Sequence, residues 1–386
     1  MSSLRIAVYA SPISASFGKP TGVGRHIASM LGELATAQGV APVVLANGED
    51  YRRASAGMSP AVRSMPTRFL PGPERLWRSL LIGTRLVSVD RWSGDVDWVY
   101  APKEQPVATR RARLAVTIHD LVALEPHRNG MGRASATVRL RWRLLVKRIL
   151  QRADLIATVS DFTRRRLIEM FGVPDDGRIV VVGNGVSPVF FRSAAEEDEA
   201  ILSRYGVSST PYLVAAGSLT ARKNGLTILR IAQQLREQGP WTVLVTGRRH
   251  DASLVARLRD AFGEGADAPV KLIGYVPDED LSVLLSHARG LLFLSHYEGF
   301  GLPAVEAMAA GAPVICSESA ALPEIVGDAG ILVGADADEQ IIGAVNRLTD
   351  SESDRQHFIH RGRQRARQFT WPQCAARLID GMSARM

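Results

Sequence analysis

Short apolar runs alternate with segments of helical periodicity along the first half of the chain. The run Leu4–Tyr9 is followed by a loop of small residues over Ala10–Gly24 and by helical spacing over Arg25–Ala37. Similar spacing predicts helices at about Arg133–Arg152 and Phe162–Phe171. Further strands are predicted at Val40–Leu45, Trp98–Tyr100, Leu114–Ile118, Leu155–Val159 and Ile179–Val182. This alternation predicts a parallel sheet with helices on both faces.

The alternation breaks at Gly183–Val186 and then restarts. Pro188 and the acidic stretch Glu196–Glu199 follow, so a linker is predicted here. Beyond it, strands are predicted at Tyr212–Ala216, Thr242–Thr246, Val270–Leu272, Gly290–Leu294 and Ala312–Cys316, and helices at Gly225–Glu237, Ser253–Ala261, Asp278–His287, Pro303–Ala310 and from about Glu339 onward. The chain is therefore predicted to be α/β, with two doubly wound domains in tandem. Ligands of such sheets bind at the carboxyl ends of the strands.

Composition agrees with two cores of ordinary size. The 386 residues are 46% hydrophobic, and a chain of this length is expected to form roughly two or three domains. The two cysteines, Cys316 and Cys374, have neither metal-binding nor redox spacing, so reduced thiols are expected. Residues Met1–Ala10 lack the pattern of a secretory signal, and no run approaches the roughly 18 apolar residues of a membrane span. The sequence predicts a cytoplasmic protein that is not integral to a membrane.

Positive charge is concentrated in the first half of the chain. Residues 1–190 hold 27 Lys/Arg and 15 Asp/Glu, a net charge of +12, and the remainder has a net charge of −4. The segment Arg133–Arg152 has seven Lys/Arg and no acid. Its Val138, Trp142, Leu145 and Ile149 form one helical stripe that is expected to face the core. The charge predicts an anionic partner, which could be a phosphorylated substrate, anionic lipid or nucleic acid.

The loop after the predicted strand Gly290–Leu294 has the features of an anion site. Pro303 is predicted as the first residue of the following helix, because its fixed φ suits that place. The amides of Phe300, Gly301 and Leu302 would then point out of a helix N-terminus, where anions bind.

Two carboxylates, Glu298 and Glu306, bracket this loop eight positions apart. An ionised carboxylate only accepts hydrogen bonds, so it suits vicinal hydroxyls and not phosphate. Phosphate-binding amides with hydroxyl-binding carboxylates describe a sugar-nucleotide site. The residues alone leave open a plainer alternative, a surface Glu and a helix Glu stabilised by the helix dipole.

The segment EGFGLPAVEAMAAGAPVI, Glu298–Ile315, closely resembles the E-x7-E signature of retaining glycosyltransferases of family four. The resemblance covers eighteen contiguous positions. It implies the GT-B architecture, two Rossmann-like domains facing a cleft. It also implies that Glu298 contacts the transferred sugar, that Glu306 binds the ribose hydroxyls, and that Gly299–Leu302 contact the donor.

Arg222 and Lys223 follow the predicted strand Tyr212–Ala216 and a glycine turn. A guanidinium binds phosphate oxygens in pairs and an ammonium acts as a point charge, so the two could hold a diphosphate. A solvated pair of cations at a helix start is the alternative. Family four has Arg-Lys-Asn or Arg-Lys-Gly at this place, which implies a catalytic role for both residues. Many members also have Arg directly after the Gly, where this chain has Ser218.

Two glycine-containing segments resemble the family more weakly. Gly274-Tyr275-Val276 is similar to the segment that lies beside the nucleobase, so Tyr275 and Val276 are expected to bind the donor. Gly22, Val23 and Gly24 are similar to the loop that covers the donor phosphate and sugar, with Thr21 in place of the family's first glycine. Neither this loop nor Gly18-Lys19 is a complete dinucleotide or P-loop fingerprint.

His119-Asp120 ends the predicted strand Leu114–Ile118. A lone histidine is commonly structural, but this one lies at the carboxyl end of a predicted strand, where ligands of such sheets bind. Family four often carries His-Asp here, which implies that His119 contacts the donor sugar and takes part in catalysis. Ser160 is expected to cap the helix Phe162–Phe171.

The resemblance implies three parts: an N-terminal acceptor-binding domain over residues 1–186, a nucleotide-sugar donor domain over 187–368, and a C-terminal helix over 369–386 that crosses back to the first domain. No Asp-x-Asp signature follows a strand, and the family usually works without metal. We therefore expect no cofactor and no required metal, with the sugar nucleotide as co-substrate.

The predicted activity is retaining hexosyl transfer from GDP-mannose or a UDP-hexose to a glycan or lipid-linked acceptor in polysaccharide or cell-envelope synthesis. The basic first half is expected to contact anionic membrane peripherally, at its inner face, and no nucleic-acid-reading motif accompanies the charge. Three alternatives stay open: a sugar-nucleotide 2-epimerase, a phosphorylase-like enzyme that uses phosphate, and a non-catalytic basic module that binds membrane or nucleic acid.

Overall fold

The computed structural model describes residues 3–10, 21–48, 51, 58–71, 88–105, 107–125, 134–192, 198–208, 210–263 and 268–386. These residues form two compact units. The first consists of the described residues up to Glu125, of Ala134–Gly185 and of Trp371–Met386, and the second is Val186–Thr370. Most of the predicted loop Ala10–Gly24, including Gly18 and Lys19, lies outside the described residues.

The first unit is built on a parallel sheet. Within the described residues the sheet has seven strands in the order β3-β2-β1-β4-β5-β6-β7. The strands are β1 Leu4–Tyr9, β2 Val40–Asn47, β3 Thr67–Leu70, β4 Trp98–Ala101, β5 Arg113–Ile118, β6 Leu155–Thr158 and β7 Ile179–Val181. The helices are α1 Gly22–Thr36, α2 Pro60–Arg63, α3 Ala136–Arg152 and α4 Asp161–Phe171, with 3-10 turns at Val89–Arg91 and Val122–Leu124.

The second unit repeats this architecture. Its parallel sheet has the order β10-β9-β8-β11-β12-β13. The strands are β8 Tyr212–Ala215, β9 Thr242–Thr246, β10 Val270–Gly274, β11 Gly290–Phe293, β12 Val314–Ser317 and β13 Ile331–Val333. The helices are α5 Asp198–Arg204, α6 Gly225–Gln238, α7 Ala252–Phe262, α8 Asp278–His287, α9 Leu302–Ala310, α10 Leu322–Val326, α11 Asp338–Asp350 and α12 Glu352–Ala366, with 3-10 turns at Pro188–Phe190 and Gly327–Ala329.

Both faces of the first sheet are covered. One core joins Ile6 to Ile27 of α1, and the other joins Val99 to Ile149 of α3 and Leu167 of α4. Successive strand residues point to opposite faces, so one strand supplies both cores. The predicted α/β class with two doubly wound parallel sheets is confirmed.

The last helix, α13 (Trp371–Ser383), belongs to the first unit. Trp371, Cys374 and Leu378 are buried in the same core as Ile6 and Ile27, on the α1 side of the sheet. Both cysteines are free, as predicted, and both are buried.

Several element boundaries differ from the prediction. The glycines Gly22 and Gly24 lie in the first turn of α1, which begins three residues early because Thr21 caps it and accepts a hydrogen bond from the Gly24 amide at 3.0 Å. Pro303 is the second residue of α9 and not the first. The edge strands β3 and β13 were missed, since each is short and only partly buried.

The predicted linker is partly wrong. Asp198, in the acidic stretch, begins α5 and is 2% exposed. It pairs with Arg192 at 2.6 Å and with His287 at 2.9 Å, which places its charge inside the second unit. Glu196 and Glu197 lie outside the described residues.

The predicted core stripe on α3 is also partly wrong. Ile149 is buried, but Trp142 and Leu145 are only partly buried and Val138 is 40% exposed. Trp142 and Leu145 still pack against the same core as Ile149, so only Val138, near the start of α3, departs from the prediction. The position of a residue along the helix, as well as its face, determines burial here. Arg133 lies outside the described residues.

Candidate functional site

Three charged side chains meet at the carboxyl ends of β8 and β11. Lys223 Nζ lies 2.6 Å and Arg222 Nη1 lies 2.8 Å from the same oxygen, Oε1 of Glu298. Arg222 Nη1 also donates to the Tyr297 carbonyl at 2.9 Å, and the His296 amide donates to the Arg222 carbonyl at 3.0 Å. The structure therefore brings Glu298 to two adjacent cations that lie 76 and 75 residues before it in the sequence.

The cluster is shielded from water unequally. The side chains of Lys223 and Glu298 are each 14% exposed and that of Arg222 is 41% exposed. Burial lowers the pKa of Lys223, and the charge of Glu298 opposes this only in part. Burial would raise the pKa of Glu298, but the charges of Lys223 and Arg222 outweigh it and the pKa falls below its usual range. The carboxylate therefore remains ionised between two basic side chains.

The Lys223 stem is closely packed. Its ammonium lies 4.6 Å from the centre of the Phe293 ring. Gly217 has a φ of +100°, and a Cβ there would lie 3.0 Å from Lys223 Cε. A side chain at Gly217 would therefore push Lys223 away from Glu298.

The loop that carries these cations is held by the last residue of β9 and by groups just after that strand. The Gly217 amide donates to Thr246 Oγ1 at 2.8 Å, and the Leu219 amide donates to His250 Nδ1 at 2.9 Å. Ser218 Oγ accepts from the Arg249 amide at 3.1 Å. Ser218, where family members often have arginine, thus has a structural role in this chain. His250 was missed by the sequence reasoning because its partner is a backbone amide, which leaves no pattern.

Asn224 has a structural role in the Arg-Lys-Asn sequence. Its backbone is left-handed, with a φ of +56°, a conformation that Asn tolerates better than most residues. Its side chain donates to the Ala335 carbonyl at 2.6 Å and to Asp336 at 3.1 Å. This fixes the start of α6 directly after the two cations.

The helix α9 begins at the end of the Glu298 loop. Gly301 caps it with a φ of +109°, and a Cβ there would lie 2.6 Å from Leu322 Cδ2, so the position requires glycine. Phe300 and Leu302 are buried beside it, with 5% and 7% of their surface exposed. The N-terminus of α9 thus follows the Glu298 loop directly, and an anion site at the amides of Phe300, Gly301 and Leu302 stays a prediction.

Glu306 lies in the second turn of α9 and is 5% exposed. The rest of the helix is also buried, from Leu302 and Ala304 through Ala310. A carboxylate on an otherwise apolar, buried helix costs free energy unless it has hydrogen-bond or charged partners. Glu306 is therefore a candidate for a residue that binds a ligand.

The segment after β10 follows the edge strand of the second sheet. Gly274 has a φ of +70°, Val276 is buried, and Tyr275 is 40% exposed. The guanidinium of Arg248, which follows β9, lies 5.0 Å from the Tyr275 ring centre. Tyr275, Arg248, Lys223 and Glu298 thus follow four adjacent strands, β10, β9, β8 and β11.

His119 follows β5 in the first unit and is 7% exposed. Its Nε2 lies 2.9 Å from the Pro102 carbonyl, which only accepts, so this nitrogen carries the proton. Burial lowers the pKa of His119 to about 4. The imidazole is therefore neutral, and Nδ1 is left with a lone pair that suits a sugar hydroxyl. The backbone amide of His119 donates to the buried carboxyl of Glu104, which the sequence reasoning also missed.

A second histidine, His26 of α1, supports His119. The two rings are perpendicular, with centres 4.7 Å apart. His26 Nδ1 lies 2.7 Å from Asn184 Oδ1, and Nε2 lies 3.4 Å from the Tyr100 hydroxyl. Desolvation lowers the pKa of His26 to about 3. Helix α1, which begins with the predicted donor residues Gly22, Val23 and Gly24, is thereby tied to His119.

These two histidines predict acid sensitivity of the first unit. Each has a folded-state pKa below its unfolded value, so the unfolded state binds more protons and stability falls as pH drops from about 6.5 toward 4. At pH 5 the loss is about 2 kcal/mol for each histidine. His26→Gln should therefore reduce the change in unfolding free energy between pH 7.5 and pH 5 by about 2 kcal/mol.

Hydrogen exchange of the β1 and β4 amides across a urea series, at both pH values, measures this change for the first unit. His360→Gln removes an exposed histidine of α12 and serves as the control. A pH dependence in His26→Gln equal to that of the unmodified protein would show that His26 titrates normally.

No group of three or more His, Cys, Asp or Glu that could hold a metal ion occurs among the residues the structure describes. No helix in the described ranges is long and apolar enough to cross a bilayer. The charged groups after β8 and β11 are two cations and one carboxylate in direct contact.

Two parallel-sheet Rossmann-like units, with a cation and carboxylate cluster after the strands of the second sheet, define the GT-B class. Two family models match the chain: Glycosyltransferase Family 4 over residues 20–190 and Glycosyl transferases group 1 over residues 199–365. The chain belongs to glycosyltransferase family 4, as the Glu298–Ile315 segment predicted.

Named relatives include mannosyltransferases. The chain is 34% identical over 235 residues to the O-antigen chain mannosyltransferase B of Escherichia coli, a match that covers 60% of this chain and 61% of that protein. It is 42% identical over 107 residues to the MMP alpha-(1->4)-mannosyltransferase of Mycolicibacterium hassiacum, covering 26% of each. The chain thus spans less than two thirds of these relatives.

Solved structures share the fold over the whole chain. HepE of Anabaena, crystallised with UDP-glucose, aligns with a TM-score of 0.74 and 17% identity over 99% of this chain and 100% of that one. WaaG, described as a glycosyltransferase of lipopolysaccharide biosynthesis, aligns with a TM-score of 0.68 and 16% identity over 97% and 98%. At these identities the likeness shows the fold alone.

Proposed function

We propose that the protein is a retaining glycosyltransferase that moves a hexose from a sugar nucleotide to a glycan or lipid-linked acceptor in polysaccharide or cell-envelope synthesis. The observation that carries this proposal is the convergence of Lys223 and Arg222 on one oxygen of Glu298. The cations suit a diphosphate, and the carboxylate suits the hydroxyls of the attached sugar.

The proposed donor is GDP-mannose, with a UDP-hexose as the second candidate. Two named relatives are mannosyltransferases, and the Arg-Lys-Asn sequence slightly favours the same donor. The guanidinium of Arg248, 5.0 Å from the Tyr275 ring centre, lies beside the proposed base segment. Arginine commonly pairs with both O6 and N7 of guanine, which supports a guanine nucleotide.

Each site residue has a proposed role in binding this donor. Arg222, Lys223 and the amides over Gly299–Leu302 bind the diphosphate. Glu306 binds the ribose hydroxyls, and Glu298 and His119 bind the sugar. Tyr275 and Val276 bind the base, and Gly22, Val23 and Gly24 cover the phosphate and sugar.

The proposed reaction is a front-face transfer. The bond between the anomeric carbon and the phosphate oxygen breaks while a bond to the acceptor oxygen forms on the same face. The departing diphosphate takes the acceptor's proton and leaves as the nucleoside diphosphate, with retention of configuration. Lys223 and Arg222 would stabilise the charge that develops on this leaving group, so we propose that transfer requires neither a bound metal nor a cofactor.

Isothermal titration with GDP-, UDP- and ADP-sugars tests the donor proposal. A glycosyltransferase should bind one of them at micromolar concentrations and slowly hydrolyse it to a free sugar and the nucleoside diphosphate. A 2-epimerase would instead release an epimerised sugar, detectable by NMR. A non-catalytic basic module should bind none of the nucleotides, and that result would overturn the proposal.

Replacing Glu306 by alanine should weaken binding of the preferred donor by at least about tenfold, because charged hydrogen bonds to two ribose hydroxyls are lost. The same titration measures it, with the exposed Glu237→Ala of α6 as the control. Unchanged donor affinity in Glu306→Ala would contradict the proposal that Glu306 binds the ribose hydroxyls.

We further propose that the protein acts in the cytoplasm and contacts anionic membrane peripherally through its basic N-terminal domain. The net charge of +12 over residues 1–190 supports such a contact. A lipid-linked acceptor would require the enzyme to work at that surface.

A further inference from the structure

The N-terminal half of α3 exposes apolar side chains to water. Leu140 is 59% exposed, Leu144 is 48% exposed and Val138 is 40% exposed. Ile149 and Leu150, near the other end of the helix, are buried in the first unit. The exposed leucines therefore form no part of the core.

Cations surround the two leucines. Leu140 and Leu144 are four positions apart and so lie on one face of the helix. At 3.6 residues per turn, two cations fall on each side of them: Arg141 and Arg148 on one side, Arg143 and Lys147 on the other. We call these six residues the α3 face. Helix α3 contains no acidic residue.

A groove lies next to the α3 face, with a volume of about 350 Å³. Apolar side chains line it together with two arginines: Leu124, Leu140, Met170, Phe171, Arg139 and Arg143. The Arg143 guanidinium lies 5.9 Å from the Phe171 ring centre. An apolar surface bordered by cations thus extends from α3 onto the end of α4.

We propose that the α3 face docks on an anionic lipid bilayer, with Leu140 and Leu144 at the boundary of headgroups and acyl chains and the cations on the lipid phosphates. An interfacial helix has this combination of an apolar stripe and basic flanks. This inference rests on the proposed function in one respect, the lipid-linked acceptor that would bring the enzyme to a membrane. It adds which surface of the protein makes the contact.

Other occupants fit the α3 face less well. A nucleic acid would pair with the cations and leave the leucines in water. Contact between the α3 faces of two copies would bring like charges together, because a two-fold interface apposes the same patch. Only the bilayer matches both the apolar centre and the positive rim.

Flotation of the full-length protein tests this inference, with vesicles of phosphatidylcholine alone or mixed with phosphatidylglycerol. We expect binding to the mixed vesicles only. Binding should fall as salt rises, since the Debye length shrinks from about 10 Å at 0.1 M to about 3 Å at 1 M.

Two pairs of variants separate insertion from charge. Leu140→Glu should lower the partition coefficient by about tenfold or more, and Arg141→Ala should lower it by about fivefold. Leu332→Glu, at an exposed leucine of β13, and Arg257→Ala, at an exposed arginine of α7, are the matched controls and should bind like the unmodified protein.

Several outcomes would overturn the inference. These are no binding of the unmodified protein to anionic vesicles, equal binding to neutral vesicles, and unchanged binding of Leu140→Glu. A change in oligomeric state of Leu140→Glu in size-exclusion chromatography would assign the face to a second copy instead. Nucleotide titration of the same variants keeps this test separate from the donor proposal, because Leu140→Glu should bind the donor normally.

Discussion

Replacing Lys223 by methionine is expected to lower the turnover number of sugar transfer by about 10²–10³-fold, the usual effect of losing one preorganised group that stabilises developing charge. Methionine keeps most of the stem that packs near Phe293 and Gly217, and it removes only the ammonium. Glu298 keeps Arg222 as its partner at 2.8 Å, so no buried carboxylate is left unpaired. The effect should therefore fall on the reaction and not on folding.

Steady-state kinetics with the preferred donor measures this effect, and a thermal melt checks the fold. Lys271→Met is a matched control, since Lys271 donates only to the Gly206 carbonyl in the described structure, at 2.9 Å, and has no proposed role in the site. A turnover number within about threefold of the unmodified enzyme would contradict the proposed role of Lys223, because stabilisation of the leaving group should cost far more.

Replacing Glu298 by glutamine is expected to separate donor binding from turnover. The variant loses a charged acceptor for the sugar hydroxyls, which corresponds to about 1.5–3 kcal/mol, or roughly a ten- to hundredfold lower turnover number. It also leaves Lys223 and Arg222 without their shared counter-charge. The site becomes more positive by one charge, so the nucleoside diphosphate product should bind as tightly as before or more tightly.

Titration with the nucleoside diphosphate and turnover assays test the two halves of this prediction. Glu339→Gln, an exposed change in the first turn of α11, controls for the lost charge. Weaker diphosphate binding with normal turnover would show that Glu298 organises the cations and does not contact the reacting sugar.

The sequence was most informative where the backbone itself requires particular residues. Around α9, a strand, a glycine at positive φ and a proline at the helix start leave a local pattern, and the structure confirms the helix there. The alternation of strands and helices similarly predicted both sheets, except for the edge strands β3 and β13. Both are edge strands of three or four residues, and only one residue of each is buried.

The sequence was least informative where a side chain serves a distant backbone group. His250 accepts from the Leu219 amide and Glu104 accepts from the His119 amide, across 31 and 15 residues. His26 meets Asn184 across 158 residues. Such contacts depend on which strand ends lie side by side, and no local spacing records them.

By itself, the sequence determined the α/β class, the two domains and the resemblance to family four, because helical and strand periodicity and glycine positions are local properties. Only the tertiary structure decided that Lys223 and Arg222 share one oxygen of Glu298 and that His119 is neutral, since both facts arise from burial and from neighbours distant in sequence. It also decided that Leu140 and Leu144 face water. The periodicity of α3 defines a stripe, but only packing on the sheet determines which part of the helix is buried.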